Sequence, residues 1–239
     1  PSGQYYDQSG SYIIKTDISG NEEWRKGVNV FNATSTFELP DENLFLMDVI
    51  ELEDGYVTLE VLDNPSINPD LGGYSVLTKM NFDGDVLWYY NFVYSIPDDI
   101  SKTVDGGVVC SDSGGLGNGG NLTKFNTNGE IEWSQSFDIS VSDAVQTFDE
   151  GYVFISNNYV ENTIPWQLAN TQLIKTNNMG EVEWSQSLDG VVGTSVQQTS
   201  DGGYIIFGEK DGEIWLIKTN EFGNTTPTTQ LPNINKNLI

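Results

Sequence analysis

Residues 171–184 read TQLIKTNNMGEVEW, and the pattern inside them recurs through the chain with the same internal spacing. A Lys is followed by Asp or Asn two positions on, Gly five on and Trp nine on: Lys15/Asp17/Gly20/Trp24, Lys79/Asn81/Gly84/Trp88, Lys124/Asn126/Gly129/Trp133 and Lys175/Asn177/Gly180/Trp184. A fifth copy, Lys218/Asn220/Gly223, lacks only the Trp. An apolar run rich in β-branched residues, a turn with Asn or Asp and a Gly free to take positive φ, then a second run ending in Trp, describe a β-hairpin.

A second hairpin precedes each of the last four copies. FLMDVIELEDGYVTLEVL, DDISKTVDGGVVCS, SDAVQTFDEGYVFIS and TSVQQTSDGGYIIFG each hold two apolar runs around a turn marked by Gly55, Gly107, Gly151 or Gly203. A unit is therefore four strands of an antiparallel sheet, repeated every ~45 to 50 residues, which predicts an all-β chain folded as a β-propeller of four-stranded blades. The runs after the Gly turns, such as YVFIS and YIIFG, show little alternation, as strands do when both faces of their sheet are covered. Five blades are expected, at 1–31, 43–93, 97–137, 141–188 and 193–224, with 225–239 as a Thr/Pro/Asn-rich linker. The first unit lacks inner strands and the last lacks its closing Trp. The two ends are expected to complete one another.

Composition narrows the function. The 239 residues carry 35 acidic and 10 basic side chains, a formal charge of −25, which repels phosphate backbones and anionic lipid surfaces. Nucleic acid and membrane insertion are not expected. A surface of this kind suits divalent cations or cationic partners. Five of the Lys occupy the repeat position, so ion pairs with Asp105, Asp149 and Asp201 of the Asp-Gly turns are expected. His is absent and Cys110 is the only cysteine, which excludes an intramolecular disulfide, a Cys/His zinc site and any scheme using imidazole as base. The sequence begins at Pro1 without Met, which is read as a piece of a larger, processed polypeptide.

The K-x-[DN]-x-x-G-x-x-x-W hairpin resembles the blade motif of pyrroloquinoline-quinone-like propellers. With the D-G-G-Y turns it is similar to the "DGGYI…WLIKTD…GN…W" repeats of secreted bacterial proteins. That resemblance implies a propeller and leaves function open, because such repeats serve varied roles. The cofactor-stacking and calcium-ligand residues of the quinone enzymes have no counterpart here, so no quinone is expected. The end of the chain, LPNINKNLI, resembles the start of the C-terminal sorting domain of type IX secretion substrates of Bacteroidota, which implies an extracellular or outer-cell-surface location.

In a four-stranded blade, turns 1–2 and 3–4 share one end of the sheet, and loops 2–3 share the other with the crossings between blades. Uniform turns thus fall at one end. The length variation (32–43, 63–73, 94–99, 111–120 and 157–170) falls at the opposite end, where a ligand is expected. Trp166, the one Trp in a long loop, and Tyr159 are candidate platforms for a sugar ring. Asp48, Asp99 and Asp143 stand near the start of the innermost strands, with Asp48 one residue out of phase. They are the candidate trio of a glycoside hydrolase, a chemistry that needs two carboxylates at a set separation. Asn81-Phe82-Asp83-Gly84-Asp85 has some likeness to a calcium loop. The leading expectation is a non-enzymatic module binding glycan or an extracellular protein, with a carbohydrate-active enzyme and a structural spacer as alternatives.

Overall fold

The computed structural model describes residues 12–27, 44–62, 74–93, 97–114, 119–160, 167–188 and 190–225. They fall into two compact units, 1–97 and 98–239, each described by itself. The first contains a hairpin, β1 (Tyr12–Thr16) and β2 (Glu22–Gly27), and blade I: β3 (Leu44–Leu52), β4 (Gly55–Leu62), β5 (Tyr74–Met80) and β6 (Val86–Val93). In the second, blade II comprises β7 (Asp99–Lys102), β8 (Val108–Asp112), β9 (Asn121–Phe125) and β10 (Ile131–Ser136). Blade III is β11 (Ala144–Gln146), β12 (Tyr152–Val160), β13 (Gln167–Thr176) and β14 (Val182–Ser187). Blade IV has three strands, β15 (Val192–Gln198), β16 (Tyr204–Lys210) and β17 (Glu213–Lys218). Within every blade, strands adjacent in sequence pair antiparallel, and no described residue is helical. This is an all-β propeller.

The described residues correct the expected count to four blades and a hairpin. In the register of Lys15 opposite Trp24, β1–β2 are the third and fourth strands of a unit, while β15–β17 are the first three. Among the described residues they belong to separate sheets. After β17 the described residues of blade IV end with the bridge Thr219–Thr225.

Blades II to IV stack through continuous apolar layers. Between II and III lie Val109, Leu122, Tyr152, Phe154 and Ile174; between III and IV lie Val153, Ile155, Leu173, Val196, Tyr204, Ile206 and Ile217. Each such side chain contributes roughly 1.5–3 kcal/mol when fully buried. Tyr152 and Phe154 face one neighbour and Val153 and Ile155 the other, which is why β12 shows no alternation.

The repeated Trp acts between blades rather than closing its own. Trp133 meets Tyr152 of the next blade edge-on, ring centroids 5.2 Å apart, and Trp184 meets Tyr204 at 5.7 Å. The Gly of the next blade's 3–4 turn sits beneath the same indole: a Cβ on Gly180 would stand 2.8 Å from Trp133, and one on Gly223 2.6 Å from Trp184. Both glycines also have positive φ, 77° and 74°. Turn geometry and interblade packing thus require the same residue. In the first unit Trp24 meets Tyr56 in the same way, and its indole N–H donates to the Phe82 carbonyl at 3.0 Å.

Candidate functional site

At the end of the blades where turns 1–2 and 3–4 lie, the repeated Lys pairs with carboxylates; it is buried at Lys79, Lys124 and Lys175 and partly exposed at Lys15 and Lys218. Lys175 reaches Asp149 at 2.9 Å and Glu183 at 3.0 Å and donates to the Thr176 carbonyl; Lys124 makes the same set with Asp105, Glu132 and Phe125. Lys79 pairs with Asp54, and Lys218 with Asp201, all within their own blades. The expected pairs with Asp105, Asp149 and Asp201 are therefore present.

Each of those Asp also closes its turn. Burial alone would raise the Asp105 carboxyl, but the Thr103 hydroxyl, Lys124 and the Gly107 N–H overcome it and hold it at about 2. The Thr199 hydroxyl, Lys218 and the Gly203 N–H likewise hold Asp201 at about 2. Two glutamines link neighbouring turns: Gln146 accepts from the Val104 N–H at 2.8 Å and Gln198 from the Phe148 N–H at 2.7 Å. They were legible only as the Gln before Thr in VQTFD and QQTSD.

The 3–4 turns are closed by their own side chains. Asn81 Oδ1 accepts from the N–H groups of Asp83 and Asp85, and its amide donates to the Asp85 carboxylate. Asn126 with Glu130 and Asn177 with Glu181 repeat the arrangement, and Asp17 with Asn21 inverts it. The likeness of residues 81–85 to a calcium loop is therefore the likeness of an Asx turn. No group of three or more His, Cys, Asp or Glu that could hold a metal ion occurs among the described residues.

The three carboxylates singled out in the sequence lie toward the opposite end of their own blades. Asp48 pairs in register with Leu59, Asp99 with Ser111, and Ser195 with Phe207; the Asp143 carbonyl accepts from Ile155. Each partner lies four residues past Gly55, Gly107, Gly203 or Gly151, so Asp48 is in phase with Asp99 and Asp143. The shorter turn at Glu53-Asp54 hides this in the sequence. Blade IV has Ser195 at the same place. Asp143 Oδ2 accepts from the Val196 N–H of the next blade at 2.7 Å, and Asp48 Oδ1 from the Val49 N–H at 2.7 Å. Asp48 lies in the first unit and the other two in the second.

Tyr159 lies on β12, its backbone paired with Leu168, and its side chain is outside the described set; Trp166 lies outside the described residues. Nearby, Asn157 joins blades III and IV by donating to the Gly193 carbonyl at 2.7 Å and accepting from the Gly193 N–H.

Sequence reasoning missed Glu60. It is fully buried on β4, its Oε1 accepts from the Thr58 hydroxyl at 2.9 Å, and its Oε2 has no hydrogen-bond partner among the described residues. Burial pushes its carboxyl up to about 7, with Thr58 and Thr78 offsetting part of the rise. Cys110 is buried as well, and burial raises its thiol far above the ordinary range.

Comparison with protein-family profiles and with curated proteins gives no match. Among solved structures, a protein of unknown function from Bacteroides caccae aligns with TM-score 0.56 and 11% identity over 89% of this chain and 72% of that one. The Dos1 propeller aligns with TM-score 0.57 and 13% identity over 94% of this chain, which spans 55% of that chain. At such identities the likeness is one of fold.

Proposed function

We propose that the protein is a non-enzymatic binding propeller that takes a glycan, or a glycan-bearing extracellular protein, through the end of its blades opposite the Asp-Gly turns. The observation that carries this reading is the contrast between the two ends. At the turn end blades II and III repeat one design and blades I and IV keep its Lys–Asp pair, whereas the connections between second and third strands differ widely, from 63–73 in blade I to Asp211-Gly212 in blade IV. A rigid scaffold with one variable end is the arrangement that positions recognition loops.

The carboxylates at that end support binding over hydrolysis. Two of the three accept backbone N–H groups, a strand-capping role that accounts for them without chemistry, and the fourth blade replaces the acid by Ser195. In this reading Trp166 and Tyr159 supply the aromatic surface for the C–H face of a pyranose, the module belongs to a larger polypeptide, and it works outside the cell or at its outer surface.

Affinity electrophoresis through gels containing neutral or acidic polysaccharides tests the reading. Trp166→Ala is expected to weaken retention on at least one of them, and Asp99→Asn to change little. Release of reducing sugar by the wild type, abolished in Asp99→Asn, would replace this proposal by the glycoside hydrolase.

A further inference from the structure

The turn end of unit two carries apolar side chains that its own packing does not use. Val104 and Phe148, at the tips of the 1–2 turns of blades II and III, are 78% and 71% exposed; Met179 and Phe222, in the 3–4 turns of blades III and IV, are 49% and 59% exposed. Lone exposed apolar residues are ordinary, but these are arranged by seam. At the II–III seam, Val104 is held by Gln146 of blade III, and the Met179 carbonyl accepts from Gln135 of blade II at 3.2 Å. At the III–IV seam, Phe148 is held by Gln198 of blade IV, and Phe222 precedes the Gly223 that sits beneath Trp184 of blade III. Every seam thus has one apolar tip on an inner turn and one on an outer turn. Side-chain-to-backbone bonds fix the turns that carry them, so little conformational freedom remains to be lost on binding.

The same seam carries exposed carboxylates. The Asp149 and Glu183 side chains are 62% and 45% exposed and share the buried Lys175, and Glu221 is exposed next to Phe222 in the chain. The seam therefore presents carboxylates beside its apolar tips.

We infer that the III–IV seam at the turn end is a docking surface for a basic polypeptide segment, one that sets a Lys or Arg between two apolar side chains. The apolar groups cover Phe148 and Phe222, and the cation lies over Asp149, Glu183 and Glu221. This site is at the opposite end of the blades from the glycan-binding loops proposed above and does not depend on them.

Fluorescence anisotropy with three labelled eight-residue peptides, alternating Lys/Phe, Lys/Ser and Glu/Phe, tests it. The wild type is expected to bind Lys/Phe at least ten-fold more tightly than either of the others. Phe148→Ser/Phe222→Ser is expected to remove that ten-fold preference while its circular dichroism and thermal midpoint stay near wild type, and Trp166→Ala to leave it intact. Equal binding of Lys/Phe and Lys/Ser would reduce the interaction to bulk charge and overturn the proposal. So would a Phe148→Ser/Phe222→Ser variant that keeps the preference.

Discussion

The two ends of a blade bury charge in opposite ways. At the turn end the Lys175 side chain is only 4% exposed, yet two carboxylates and a carbonyl meet its ammonium. Toward the other end, Glu60 is fully buried with one hydroxyl on Oε1 and no hydrogen-bond partner on Oε2 among the described residues. The first arrangement keeps the charge because its counter-charges are built into the adjoining turn and strand. The second has none, and the carboxyl responds by holding its proton. A charge is retained inside the fold where the repeat supplies partners, and suppressed where it does not.

The largest effect should come from Glu60. Its folded value of about 7 lies above the unfolded one, 4.5, so its contribution is fully present below pH 4.5 and is lost as pH rises through 7. The loss amounts to about 3 kcal/mol. Urea denaturation between pH 4.5 and 8 is expected to show it in the wild type, while Glu60→Gln removes this slope and is the more stable chain at pH 8. Equal slopes in the two proteins would mean that Glu60 is hydrated in solution, and the contrast between the ends would fall.

Lysine truncation sharpens the comparison within the turn end itself. Lys175 and Lys218 hold the same repeat position, but Lys218 lacks a fourth-strand Glu and its side chain is 36% exposed. Lys175→Ala is expected to cost about 2–3 kcal/mol, since it empties a buried site and strands two carboxylates. Lys218→Ala should cost less than about 1 kcal/mol. Equal losses in chemical denaturation would show that the difference in burial between the two Lys is immaterial.

Glycine substitution separates backbone from packing at the same turns. Gly223 and Gly20 have similar positive φ, 74° and 83°, but a Cβ on Gly223 would stand 2.6 Å from Trp184 whereas none on Gly20 would meet an atom within 4 Å. Gly20→Ala should therefore cost about 1 kcal/mol for the left-handed backbone alone. Gly223→Ala should cost about 2 kcal/mol, because the indole must also shift. Thermal midpoints that fall equally would remove Trp184 from the account.

These contrasts mark what the residues disclosed in advance. The Lys-Asn-Gly-Trp spacing revealed strands, turns and the propeller class because each of those residues has a local reason to be there. The second role of Gly180 and Gly223, beneath the Trp of the preceding blade, is a contact between units and leaves no spacing signal beyond the repeat itself. Register was harder still: the turn in blade I is one residue shorter, so Asp48 looked displaced when it is in phase with Asp99 and Asp143. Glu60 was hidden inside an apolar run, where a single acid reads as an outward-facing residue until both faces of the sheet are known to be covered. Trp166 and the side chain of Tyr159, on which the glycan reading leans, lie outside the described residues.

The smallest effect concerns Asp201, which is exposed and still strongly perturbed. Three donors meet its carboxylate: the Thr199 hydroxyl, Lys218 at 2.9 Å and the Gly203 N–H at 3.2 Å. All favour the ionised form and hold the group at about 2, below its ordinary 3.8. A depressed folded value stabilises the turn above pH 3.8, and that stabilisation is lost as pH falls through 2. Solvent competes for the same carboxylate, so the expected readout is a titration midpoint and not a measurable change in global stability. The carboxyl carbon resonance of Asp201 should titrate near 2 in the wild type, and Thr199→Val should move its midpoint up toward 3.8, since the hydroxyl is the largest of the three influences. Lys218→Ala should move it by less. A wild-type midpoint at the ordinary value would mean that the turn is open in solution, and that blade IV does not hold the design that blade III holds.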